Sequence, residues 1–122
     1  MSDETEIRWI NITVERWISD EPLPGLIAAS LVDAYGKKWR FVDKTAVFSD
    51  RPIGPGDKYP FELLIRVAEV DRGFHPDVGE VVTISTMPSW GLETVEMESM
   101  FDVRPDQLSD PPSGSPRGDA IE

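Results

Sequence analysis

Leu26 to Lys44, LIAASLVDAYGKKWRFVDK, decides the fold, because it reads as a complete β-hairpin. Asp33-Ala34-Tyr35-Gly36 fits a type I turn with glycine in the left-handed position, followed by a bulge. Pairing around that turn sets Leu31 opposite Trp39, Ala29 opposite Phe41 and Ile27 opposite Asp43. One face then carries Ile27, Ala29, Leu31, Trp39 and Phe41, with large residues meeting small ones, as a buried face requires. The other face carries Ser30, Val32, Lys38 and Arg40 and meets water. A sheet sheltered on one side follows.

Outward from the hairpin the same period of two recurs. In Ile7 to Ile18, IRWINITVERWI, the residues Ile10, Ile12, Val14 and Ile18 share one parity. Trp9, Asn11, Thr13, Glu15 and Trp17 share the other, so a β-branched strand is expected. Ser19 to Gly25 holds two prolines and a glycine and ends it. Thr45 to Phe48 reads as a kinked extension of the second hairpin strand or a small strand of its own. Ser49 to Pro60 is a proline- and glycine-rich loop. Phe61 to Val70 alternates, with Phe61, Leu63, Ile65 and Val67 inward. Asp71 to Gly79, DRGFHPDVG, reads as a second long loop, and Glu80 to Thr86 as a strand with Val82 and Ile84 inward.

Met87-Pro88-Ser89-Trp90-Gly91 breaks the pattern. Beyond it, Met97, Ser99, Phe101 and Val103 alternate with Glu96, Glu98, Met100, Asp102 and Arg104, which predicts a final strand. A helix from Ser89 competes, with Leu92, Val95 and Ser99 inward, but its apolar stripe is thin. Pro105 stops the strand, and Leu108 tucks back onto the core. Residues 1–6 are expected to be disordered, as is the tail from Ser109 to Glu122, which is rich in proline, glycine and serine. Residues 7–108 form one all-β domain. Its five to six antiparallel strands make a small, partly open barrel or a two-layer sandwich, the two ways to cover Phe61, Ile65, Val82 and Phe101.

Composition excludes several chemistries. Cysteine is absent, so no disulfide, thiolate metal site or cysteine nucleophile can form within the chain. That absence suits a reducing compartment. No basic N-terminal segment with an apolar run and no membrane-length apolar stretch is present, so a cytoplasmic, membrane-free location is expected. Net charge is −11. Glu69 to Leu108 carries nine acidic residues against Arg72 and Arg104 alone, so an acidic region is built from the second half. Such a field opposes phosphate binding, speaks against nucleic acid as a partner and steers a basic protein. It serves solubility equally well.

Few residues stand out as sites. The single histidine, His75, sits in Gly-Phe-His-Pro-Asp without a nucleophile motif, so no catalytic residue is assigned. One histidine excludes a histidine-cluster metal centre, and Asp71, Asp77 and Glu80 match no calcium loop. Neither a metal nor a cofactor is expected. Lys37, Lys38, Arg40 and Lys44 form a basic cluster, but Lys38 and Arg40 face away from Trp39 and Phe41, so stacking and phosphate contact do not share a face. The tryptophans are more informative. Trp39 belongs to the hairpin core, whereas Trp9 and Trp17 lie among polar residues and Trp90 lies in a loop. A large amphipathic ring among polar neighbours is the composition of a recognition surface, and the competing reading is that a coiled strand of a small barrel buries parts of both faces while loop tryptophans cap barrel ends. Trp90, Trp9 and Trp17, with the nearby acids Glu93, Glu96 and Glu98, are therefore the candidate binding residues. The function expected is a non-catalytic acidic protein-interaction module, such as an inhibitor, an immunity protein or a regulatory binder. The alternative is a small-ligand-binding barrel with weak catalysis near His75.

Overall fold

The computed structural model describes residues 6–110, and they form one antiparallel sheet curled into a half-barrel. Its strands are β1 (Glu6–Ser19), β2 (Leu26–Val32), β3 (Lys38–Lys44), β4 (Phe61–His75), β5 (Gly79–Ser85), β6 (Met100–Val103) and the short β7 (Leu108–Ser109). The order across the sheet is β3-β2-β1-β4-β5-β6, and β7 pairs with β1 at Trp9 and Ile10. Of the two expected architectures, the partly open barrel is the one formed. Pairing starts at Glu6 and ends at Ser109, one residue beyond each expected domain boundary. The rest of the expected tail, from Pro111 onward, lies outside the described residues.

The hairpin has the register that its turn dictates: Leu31 faces Trp39, Ala29 faces Phe41 and Ile27 faces Asp43. Gly36 sits at φ 87°, and its N–H donates to the Asp33 carbonyl at 3.1 Å. A side chain there would strain a left-handed backbone. The core gathers Ile10, Ile12 and Val14 of β1, Ile27 and Leu31 of β2, Phe41 of β3, Ile65 and Val67 of β4, Val82 and Ile84 of β5, and Phe101 and Val103 of β6. Leu108 is buried where β7 returns to β1, as expected.

Five local readings are corrected. Thr45–Phe48 is a single helical turn rather than a strand, and its buried residues, Thr45 and Phe48, are three apart as a helical turn requires. Asp71 to Gly79 is not a loop, because β4 runs on to His75 and pairs with β5 from Gly79 opposite His75. That arm buries neither face, so no alternation marks it in the sequence. The last strand is shorter than expected: Met97 has φ 68°, which a strand cannot hold, and it is exposed rather than inward. Ser30 is buried under β1, where its hydroxyl donates to Glu15 at 2.6 Å. Finally, the β1–β2 register shifts between Val14 and Arg16, a bulge that reverses the parity of β1. Trp17 thereby turns toward the core and packs against it. Its ring lies so close over Gly25 that no Cβ would fit there, and Gly25 at φ 131° is the residue such a contact demands.

Candidate functional site

A curled sheet must either close or leave an edge, and this one does both. One seam joins β3 to β6. Ala34 N–H, in the hairpin turn, donates to the Asp102 carbonyl at 2.8 Å, and Val95 N–H donates to the Arg40 carbonyl at 2.9 Å. Phe101 fills the space between them, edge-on to Trp39 at 5.2 Å and to Phe41 at 6.0 Å. Buried Asp33 accepts from the Tyr35 and Lys37 amides and from the Trp39 indole, each at 2.9 Å. Asp102 accepts from Thr83 at 2.6 Å and from the Tyr35 hydroxyl at 2.7 Å. Those donors hold the Asp102 carboxyl below the usual carboxylate range, and the same carboxylate pushes the Tyr35 phenol up. His75 reaches this seam from the β4–β5 arm, its ring 5.3 Å from Tyr35, while its Nδ1 accepts the Asp77 amide at 3.1 Å.

The other side of the barrel stays open. β4 pairs with β1 from Phe61 to Glu69, but with β5 only from Ala68 onward. Between Phe61 and Val67, among the described residues, no strand lies along the second edge of β4. Two hydrogen bonds fix which backbone groups face that edge. Thr86 N–H donates to the Ser99 carbonyl, so Thr86 points toward β6 and Ser85 toward β4. Ser85 pairs with Ala68, and alternation then turns Ala68, Arg66, Leu64 and Glu62 away from β1. The Ser89 hydroxyl donating to the Arg66 carbonyl at 2.7 Å, where β5 would have continued, agrees with this. Among the described residues nothing bonds the Leu64 N–H or carbonyl.

A groove of about 490 Å³ lies along this edge. Its floor is Leu64, Ile65 and Arg66, one wall is the segment from Ala46 to Arg51, and the other is Pro88-Ser89-Trp90, with Trp9 beside Arg66. The structure thus brings together Trp9 and Trp90, two of the three tryptophans singled out by sequence, and places Trp17 elsewhere. Trp90 is 79% exposed at φ 61° and is followed by Gly91 at φ 69°. Left-handed backbone costs a residue with a Cβ about 1–2 kcal/mol. The loop around it is held by the Leu92 amide donating to the Ser89 carbonyl and by the buried Thr86 hydroxyl donating to the Leu92 carbonyl.

On either side of Trp90 the loop exposes Met87, Val95 and Met97 together with Glu93, Glu96 and Glu98. Glu96 pairs with Lys37 at 3.8 Å, and Lys38 pairs with Glu15 at 2.9 Å, so two cations of the basic hairpin already face carboxylates. Arg51 and Arg66 were not singled out by sequence. Neither forms an ion pair among the described residues, although both line the groove. No signal in the sequence marks them, since their position depends on which strand β4 lacks as a neighbour.

Among the described residues no group of three or more histidine, aspartate or glutamate side chains is placed to hold a metal ion. No helix there is long and apolar enough to cross a membrane. Comparison with known proteins returns no matching family model, no matching curated protein and no matching solved structure.

Proposed function

We propose that this chain is a non-catalytic protein-interaction module whose contact face is the loop from Met87 to Met100. One observation carries the reading: a tryptophan is held four-fifths exposed on a left-handed backbone, where it contributes little to folding. Local strain retained at an exposed aromatic residue suits a role in contact. The exposed methionines add adaptable apolar area, and Glu93, Glu96 and Glu98 give the face a negative field that favours a basic partner. A chain without cysteine suits a reducing cytoplasm, where the module would act free of membrane and nucleic acid.

A photo-crosslinking residue in place of Met97, set against one in place of Leu23, tests the reading in cells. A defined protein should be labelled from the first position and not from the second. Trp90→Ala and the pair Glu93→Gln and Glu98→Gln should weaken that labelling and leave the denaturant midpoint in place. Equal labelling from both positions contradicts the proposal. The alternative, a small-ligand-binding barrel, is favoured by the volume of the Trp9–Trp90 groove rather than by the barrel interior, which Phe41, Ile65 and Phe101 fill. Quenching of tryptophan fluorescence by a metabolite, lost in Trp90→Ala, would select it.

A further inference from the structure

An unpaired strand edge at the floor of a groove is an incomplete sheet, and an extended peptide is what completes one. The Leu64 N–H and carbonyl face the groove with no partner among the described residues, and the Arg66 N–H points the same way. Edges left open are normally blunted by proline, inward charge or a covering segment. Here the loop carrying Trp90 caps the edge at Arg66 alone, where Ser89 bonds the Arg66 carbonyl and the Arg66 guanidinium donates to the Pro88 carbonyl at 3.3 Å, and with the segment from Ala46 to Arg51 it flanks Leu64 without covering it.

We propose that the edge of β4 around Leu64 adds a strand from an extended peptide of the protein partner. The peptide main chain would bond the Leu64 N–H and carbonyl. An acidic side chain of the peptide would meet Arg51 or Arg66, and apolar side chains would rest on Trp9 and Trp90. This rests on the protein-interaction reading and specifies how the partner engages.

Charge complementarity selects the peptide. Arg51 and Arg66 line the groove without an ion pair among the described residues, and beside the single carboxylate Asp50 they leave its lining with an excess positive charge in a chain of net charge −11. Their planar forks suit a carboxylate more than any neutral group. A second copy of this chain fits poorly, because its own β4 edge is recessed between the same two walls and cannot reach across. A single extended segment needs no such reach. It also gains affinity from main-chain hydrogen bonds, which tolerate sequence variation at every second position.

The test uses the full chain and a phage-displayed library of random linear octapeptides, followed by synthetic copies of the selected sequences. Selected peptides should alternate apolar and polar residues and carry aspartate or glutamate. In heteronuclear spectra they should move the Leu64 and Arg66 amides most. N-methylation of the peptide amide that meets the Leu64 carbonyl should weaken binding about tenfold, the equivalent of one lost hydrogen bond, while methylation of the next amide should not. Arg51→Ala should weaken binding several-fold with unchanged folding. Peptides whose affinity ignores N-methylation, or a library that yields no binder, would overturn the inference. If the Met97 crosslink still labels a defined protein in that case, strand addition falls and the interaction reading stands. Loss of both removes both.

Discussion

The barrel has two seams, and the chain treats them in opposite ways. Between β3 and β6 it seals the gap with Phe101 packed on Trp39 and Phe41, two main-chain hydrogen bonds and the carboxylates of Asp33 and Asp102. Along the first half of β4 it leaves backbone groups unpaired and sets Trp9, Trp90, Arg51 and Arg66 around them. Each seam has tryptophan, but the residue does different work. Trp39 is half-buried with its indole bonded to Asp33, whereas Trp90 is exposed on strained backbone. Phe101, Trp39 and Asp33, which hold the sealed seam, are thus a different set from Trp9, Trp90, Arg51 and Arg66, which surround the open one.

Mutations should separate the seams by size of effect. Phe101→Ala empties the centre of the sealed seam and should cost about 3–5 kcal/mol, read from urea denaturation. A wild-type midpoint would mean that the seam does not hold the barrel. Asp33→Ala strands two amides and an indole N–H, and a loss of about 2–3 kcal/mol is expected by the same measurement. Acid should weaken the fold as a whole, the sealed seam included through Asp102. Asp102 is held low by Thr83 and Tyr35, Glu69 by Arg72 and Arg8, and Glu15 by Ser30 and Lys38. Folded-state values below the ordinary range mean that this stabilisation is complete above that range and is lost as pH falls through the lowered values. The urea midpoint should therefore drop below about pH 4, and Asp102→Asn should reduce the drop. At the open seam the effect on stability nearly vanishes: Trp90→Ala should change it by no more than about 0.5 kcal/mol. A larger loss would reassign Trp90 to the fold.

The sealed seam was partly legible in the sequence and the open one was not, for a physical reason. The β2–β3 register follows from a turn and an alternation that are both local, so Leu31 opposite Trp39 could be read directly. The outward parity of Trp9 beside Asn11 and Thr13 was legible in the same way. The inward turn of Trp17 does not follow from its parity, because a bulge after Val14 leaves no mark in the alternation. The β4–β5 arm was missed because a strand that buries nothing has no reason to alternate. Neither the groove nor its arginines could be foreseen. An edge is defined by the neighbour a strand fails to gain, and that depends on where β5 departs after Ser85, twenty residues beyond Ile65.

Amide hydrogen exchange along β4 examines the open edge most directly. The Leu64 N–H should exchange about a hundredfold faster, or more, than those of Leu63 and Ile65, which face β1. Equal protection at all three amides would show that the edge is already paired and that no site for an added strand exists.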